Sequence, residues 1–382
     1  MAPPCDLDDV AGVALLQDNV KFHPLIKADD AVLSRESHVA RRRGLGNDIL
    51  MGRLGGLDDD IEQYAQYYYD QMSRSPMTFA LHVSKSAGTL LCLWSVQAGC
   101  RALASATDDH ALGNCNMPMD RYLWDRYVLQ DGGSTWRTAS PAELDQRDVA
   151  QRPRTCAGLS AAYAAANLSF ESNENYLFED GLCPEFWNVM VVRDPISRLM
   201  SHLSMLVTTS YARGHEWAQP DRLTTPKVLF DHVPDMSNNM YVRSLLGKDV
   251  YELPFGSINS THLEEAKLIL ERFDVLLLPD ERNRTFLKQD IQLRLGFGAD
   301  DFPTGRPDST RKGHSNGYRQ SLKWTSAEWD LLYAANALDL ELWQHAKALH
   351  SIDQQVFMHP SFSKASATMP RGACGVHRDA AV

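Results

Sequence analysis

Thr78-Phe79-Ala80-Leu81-His82-Val83-Ser84-Lys85-Ser86-Ala87-Gly88-Thr89-Leu90-Leu91 is the stretch on which the fold turns. Residues 79–83 form a short, nearly continuous apolar run, the pattern of a strand buried on both faces. The run ends in small residues and one lysine, and a helical pattern follows over about residues 89–100. A second apolar run, Phe186-Trp187-Asn188-Val189-Met190-Val191-Val192, repeats the arrangement. Pro184 precedes it and Arg193-Asp194-Pro195 follows, with Pro195 suited to the first turn of a helix over residues 196–207. A third buried strand is expected at residues 275–278. It lies between a helix opened by a Thr261/Glu264 capping box, with the stripe Leu263, Ala266, Leu270 and Phe273, and a helix over about residues 281–295. A second capping box, Thr325 with Glu328, opens a long final helix to about residue 349. Strands alternating with helices predict an α/β fold, a three-layer domain whose central parallel sheet is flanked by helices.

Outward from this centre the sequence is less regular. Asp58, Asp59 and Asp60 precede Ile61, Tyr64, Tyr68 and Met72 at three- and four-residue spacing, which predicts an amphipathic helix near 59–73. Residues 1–57 show no sustained periodicity, so 1–74 reads as an N-terminal extension, 75–350 as the main domain and 351–382 as a loose tail rich in small residues. The chain of 382 residues carries 49 acidic and 38 basic side chains, a net charge of −11. That balance argues against general nucleic-acid binding and against a surface that seeks anionic membranes or strongly sulfated polymers. The N-terminus has no basic region and only a five-residue apolar run at 12–16, too short for a signal peptide or membrane anchor. A soluble, cytoplasmic protein is the default expectation, with the Golgi lumen as the alternative if a native anchor lies outside this chain. Seven cysteines without a C-x-x-C pair or Cys/His cluster predict no structural zinc. Buried free thiols are expected, although Cys115, Cys156 and Cys183 can pair in an oxidising compartment. Three sequons begin at Asn167, Asn259 and Asn283. About two arise by chance at this length, so they decide nothing.

The two strand exits carry the chemistry. At 84–90, small residues let backbone N–H groups approach an anion, the helix N-terminus supplies positive potential, and Lys85 adds a full charge. The segment is not a Walker A loop, because the required glycines would fall at Phe79 and Ser84. At the second exit Arg193 stands where open α/β sheets place ligands, and Ser201 lies one helical turn beyond Arg198. An arginine fork with a serine hydroxyl suits a second phosphate. A solvated lysine and a structural Arg193–Asp194 ion pair are the plainer readings of the same residues.

Two anion sites at two strand ends suggest a nucleotide phosphorylated at two positions. Here the sequence resembles the sulfotransferases that use 3′-phosphoadenylyl sulfate (PAPS), and above all the carbohydrate type that includes heparan sulfate 2-O- and 6-O-sulfotransferases. H-V-S-K-S-A-G-T-L resembles their 5′-phosphosulfate loop, H-x-x-K-[ST]-[AG]-G-T. V-V-R-D-P-I-S-R-L-M-S-H resembles their 3′-phosphate motif, R-D-P-x-x-R-x-x-S. Asn238-Asn239-Met240-Tyr241-Val242-Arg243-Ser244-Leu245-Leu246-Gly247 and Asn336-Ala337-Leu338-Asp339 with Leu342-Trp343 are further matches, so the similarity runs in order from about 78 to 350. The resemblance implies a P-loop-like domain that releases PAP. Ser84, Lys85, Ser86, Ala87, Gly88, Thr89 and Leu90 would wrap the 5′-phosphosulfate, with Lys85 on the bridging oxygen. Arg193 and Ser201 would hold the 3′-phosphate, and Arg311-Lys312-Gly313 resembles a loop that closes over the nucleotide.

Sulfuryl transfer from PAPS needs in-line positioning and stabilisation of charge on the leaving phosphate. The donor is already activated, so no metal is expected. A general base must take the acceptor proton. The heparan-type enzymes use a histidine between the two motifs, but the histidine in that interval here is His110, in an Asp-flanked loop far from the second motif. Glu174 is the candidate base, with Glu171 second, and a surface carboxylate is the plainer reading for whichever is not. His202 is expected to pack along its helix. The acidic charge favours a neutral carbohydrate or a small hydroxyl- or amine-bearing acceptor, with Trp124, Trp136 and Trp217 as candidate lining. A P-loop kinase of a small molecule and a non-catalytic nucleotide-binding protein of the same fold are the alternatives.

Overall fold

The strands, in chain order, are β1 (Thr78–His82), β2 (Leu129–Asp131), β3 (Thr135–Arg137), β4 (Phe170–Asn173), β5 (Trp187–Val191) and β6 (Val275–Leu277). They belong to a computed structural model that describes residues 30–53, 55–103, 115–116, 129–131, 135–137, 155–178, 180–208, 220–279, 284–297, 314–366 and 373–375. Strands β2 and β3 pair as a separate antiparallel ladder. The other four form one parallel sheet in the order β4-β1-β5-β6. The expected α/β architecture with a parallel sheet flanked by helices is therefore present.

The helices that frame this sheet are α1 (Asp30–Leu50), α2 (Leu57–Arg74), α3 (Gly88–Gln97), α4 (Cys156–Ala165), α5 (Pro195–Thr208), α6 (Met240–Leu245), α7 (Ser260–Leu270), α8 (Arg284–Leu295), α9 (Ser326–Ala335), α10 (Ala337–Phe357) and α11 (Pro360–Ser366). Side chains alternate across the strands and feed two cores. Phe79, Leu81, Met190 and Leu276 join one core with residues of α4, α5, α7 and α10. Ala80, Val189, Val191, Val275 and Leu277 join the other, with residues of α2, α3, α8 and α11. Both faces of the sheet are thus covered, which explains why its strands read as continuous apolar runs.

Several local expectations need correction. Residues 325–349 do not form one helix: α9 ends at Ala335, and buried Asn336 separates it from α10. The Asn336 Nδ2 donates to Ser237 O and Leu332 O at 2.8 and 3.0 Å, so the break is held by side-chain bonds. Helix α7 is capped by Asn259, whose Oδ1 accepts from Thr261 N and His262 N, and not by a Thr261/Glu264 box. The Thr325/Glu328 box is present as expected.

Within the stretch expected to be a tail, the described residues 360–366 are helical. Helix α11 packs Phe362, fully buried, against Tyr64, Tyr68 and Tyr69 of α2. The six described cysteines are not free thiols: disulfides join Cys92 to Cys115, Cys100 to Cys374 and Cys156 to Cys183, and Cys5 lies outside the described residues. Their Cα atoms lie 5.3–5.4 Å apart, a separation that spacing in sequence does not reveal.

Helix α1, unassigned from sequence, is bolted down by charge. Arg42 grips Asp353 of α10 with two hydrogen bonds of 2.9 and 3.0 Å and donates a third to Asp274 O. His38 Nε2 meets Asp274 Oδ1 at 3.0 Å, and its ring stacks on Trp187. Burial raises the Asp353 carboxyl, but Arg42, Arg43 and Arg294 outweigh it and hold the group below its ordinary value. These contacts lie at the amino edge of the sheet, away from the strand exits.

Candidate anion site at the carboxyl edge of the sheet

In chain order the sheet's strands are β1, β4, β5 and β6, and in space they run β4-β1-β5-β6. The chain therefore leaves β1 in one direction and returns to its other side. That reversal makes a crevice at the carboxyl ends of β1 and β5, where doubly wound sheets bind ligands.

The β1 exit is shaped by two residues with positive φ, Lys85 at 70° and Ala87 at 71°. Ala87 is the N-cap of α3 and supplies no side-chain bond to it, so the helix opens towards the crevice without a cap of its own. Gly88 lies directly on the His82 imidazole: a Cβ built there would come within 2.1 Å of the ring. Ser84 and Ser86 are buried, Gly88 is buried, Lys85, Ala87 and Leu90 are half-buried, and Thr89 is exposed. Ser84 Oγ meets no hydrogen-bond partner among the described residues.

The β5 exit is tied to this loop. Arg193 Nη1 donates to Lys85 O at 3.0 Å, and Arg193 N donates to the Tyr241 hydroxyl at 2.9 Å. The same hydroxyl lies 2.7 Å from Ser86 Oγ. Asp194 bears electrostatically on Arg193, raising its guanidinium. Its carboxylate caps α5 through Ser197 N at 2.7 Å. On α5, Arg198 lies with its guanidinium 5.8 Å from the Tyr241 ring centre and donates to Met236 O, and Met205 Sδ lies 3.7 Å from Lys85 Nζ. Half-buried Ser201 is one turn beyond Arg198 on the same helix.

Charges of both signs act on the buried groups at this edge. Burial lowers the Arg193 guanidinium, with Arg198 adding to the shift against Tyr241. Burial, then Arg198 and Lys85, press His202 well below its ordinary value. Burial also lowers His82, aided by Lys85 and opposed by Glu174. Both imidazoles are therefore neutral near pH 7.

Sequence reasoning missed strand β4, which carries Glu171 and is followed directly by Glu174. Its residues, Phe170, Glu171, Ser172 and Asn173, are all buried. Glu171 pairs in register with Phe79, inside the sheet. Glu174 follows the last residue of β4, at the carboxyl edge, and is close enough to His82 to influence it. Neither glutamate is a surface carboxylate, and the register separates them: Glu174 stands at the strand exits, Glu171 three residues before it, inside the sheet.

An apolar cleft opens beside Ala87, lined by Leu90, Leu91, Trp94, Leu277, Pro279 and Ile291. Arg311, Lys312 and Gly313 lie outside the described residues, as do His110, Trp124 and Trp217. Trp136 falls on β3, apart from the central sheet. The cluster of metal-ligating side chains found among the described residues is Cys156, Cys183 and Glu185, whose two sulfurs are already bonded to each other. Among the described residues no helix is long and apolar enough to cross a membrane.

These features define an α/β protein with a crevice bordered by Lys85 and Arg193 at its topological switch point. No family model, curated protein or solved structure matches the chain.

Proposed function

We propose that the protein is a PAPS-dependent sulfotransferase with a P-loop-like domain, moving a sulfuryl group to a hydroxyl or amine of a carbohydrate or small-molecule acceptor. The observation that carries this reading is the Arg193–Lys85 O hydrogen bond, which joins the two cation-bearing strand exits across one crevice. A donor with phosphate groups at both ends of a nucleoside spans such a pair of loops.

In this reading residues 84–90 surround the 5′-phosphosulfate, Arg193 and Ser201 take the 3′-phosphate, and the apolar cleft beside Ala87 takes the flat base. The acceptor oxygen or nitrogen attacks sulfur in line as the bond from sulfur to the phosphate oxygen breaks. PAP leaves with the bonding electrons, Lys85 neutralises the charge gained by its phosphate, and Glu174 accepts the acceptor's proton. Three disulfides favour an oxidising compartment for this reaction over the cytoplasm. The net charge of −11 favours an acceptor that is not itself a polyanion.

The test is transfer of labelled sulfate from PAPS to a panel of glycans, phenols, alcohols and amines, with product mass as readout. Transfer to one class, lost by at least 100-fold in Lys85→Ala, is the expected result. Phosphoryl transfer from ATP with no binding of PAP would replace this reading with the kinase.

A further inference from the structure

The Tyr241 hydroxyl occupies the junction between the two strand exits. It is 2.7 Å from Ser86 Oγ in the β1 loop and 2.9 Å from Arg193 N in the β5 loop. A phenol has one proton and two acceptor positions. Arg193 N–H can only donate, so it occupies one acceptor position. The phenol proton is then available to Ser86 Oγ, and a Ser86 hydroxyl that accepts it must aim its own proton elsewhere.

We propose that Tyr241 is a positioning residue that couples the two anion subsites: it accepts from Arg193 N, donates to Ser86 Oγ, and so directs the Ser86 proton at the bound 5′-phosphosulfate. The inference rests on the sulfotransferase reading for the identity of that anion, but its geometry does not.

The rest of the structure holds the ring in place for this task. Tyr241 is fully buried in the first turn of α6. Its backbone N donates to Asp339 Oδ2 at 2.9 Å, and the next amide, Val242 N, donates to Asp339 Oδ1 at 3.0 Å. Arg198 covers the ring face. Burial raises the phenol above its ordinary value, against Arg198 and its two hydrogen-bond partners, so the proton is retained at neutral pH. A chain of hydrogen bonds from Arg193 N through Tyr241 to Ser86 polarises each member, which strengthens the last donor. Arrival of a phosphate at Arg193 is thereby felt at Ser86, and the reverse.

Tyr241→Phe keeps the ring, the Asp339 contacts and the Arg198 packing, and removes only the junction. Affinity for PAP, measured by calorimetry on the full chain, should fall about 10- to 100-fold. Ser86→Ala should cost a similar factor, and the double variant should be no more than about twofold weaker than the worse single one, because both remove one chain of contacts. Equal PAP affinity in wild type and Tyr241→Phe, or losses that multiply in the double variant, overturns the coupling.

The same comparison made with inorganic pyrophosphate separates the two readings. A wild-type chain that binds pyrophosphate but not PAP ends the sulfotransferase reading and leaves Tyr241 to be judged with pyrophosphate. A chain that binds neither overturns both. If Tyr241→Phe fails to fold, hydrogen exchange on the wild type decides: the Arg193 amide should exchange at least tenfold more slowly with the anion bound, and an unchanged rate overturns the proposal.

Discussion

Gly88 is fixed by what lies under it. The His82 ring fills the place a side chain would take, so Gly88→Ala must push either the imidazole or the loop aside. Overpacking of this kind costs about 1–3 kcal/mol. The unfolding midpoint should fall by several degrees and PAP binding should weaken. A Gly88→Ala/His82→Ala double variant, with the obstructing ring removed, should recover part of the lost midpoint. A double variant less stable than Gly88→Ala alone would show that the contact is not the cause. Glu174 supports a second expectation at this scale. If it takes the acceptor proton, Glu174→Gln should lower kcat by about 10²- to 10⁴-fold while leaving PAP affinity within twofold. Steady-state turnover beside calorimetry makes the separation. The same substitution at Glu171, set inside the sheet opposite Phe79, should act on stability first.

At the scale of elements, Asp339 on α10 holds the start of α6 and carries a measurable cost. Burial pushes its carboxyl up to about 6 from 3.8, although two backbone N–H groups, Arg198 and Arg243 pull the other way. A carboxyl raised in the folded state binds its proton more tightly there. Its contribution to stability is therefore full below about pH 4 and is lost as pH rises through 6. The swing is of order 3 kcal/mol. Asp339→Asn removes the titration and adds a pH-independent offset. The stability of Asp339→Asn relative to wild type should improve steadily from pH 4 to pH 7 in urea unfolding, and a flat difference would contradict the assignment. Asp353 and Asp290 act in the opposite sense. Both are held low by arginines, so their support is present above about pH 4 and fails in acid.

The elements also show which parts of the fold were legible. Strands β1, β5 and β6 could be read because both of their faces are buried and no polar partner is needed. Strand β4 could not, because Glu171, Ser172 and Asn173 imitate a loop although all three are buried. Helix α1 was hidden for the same reason. Part of its inward face is His38, Arg42 and Arg43, and the residue that makes burial of Arg42 tolerable, Asp353, lies 311 positions away. The two strand exits were legible in the sequence as candidate anion loops, whereas the Tyr241 junction was not, since it arises only from the distance between those exits in the fold.

At the scale of the whole molecule the ends of the described chain belong to the main body. Helices α1, α2 and α11 help cover one face of the sheet, so a fragment limited to residues 75–350 would expose Trp187, Val189 and Val275. A disulfide closing a long loop contributes about 2–5 kcal/mol. Replacing both Cys100 and Cys374 by serine should lower the unfolding midpoint by several degrees under oxidising conditions, and wild type treated with reductant should approach the variant. Identical midpoints for the two oxidised proteins would remove the bond from the account of stability.

The Cys100–Cys374 bond spans 274 positions and begins three residues beyond the end of α3. Synthesis runs from the N-terminus, so Cys100 emerges first and waits for a partner made 274 residues later. During translation this thiol is exposed to exchange with Cys92 and Cys115, its nearer neighbours in time. The amino end of β1, where Cys374 Sγ lies 3.8 Å from Thr78 Oγ1, is thus locked only after residue 374 is made, and an isomerase that undoes premature pairing would favour its correct assembly.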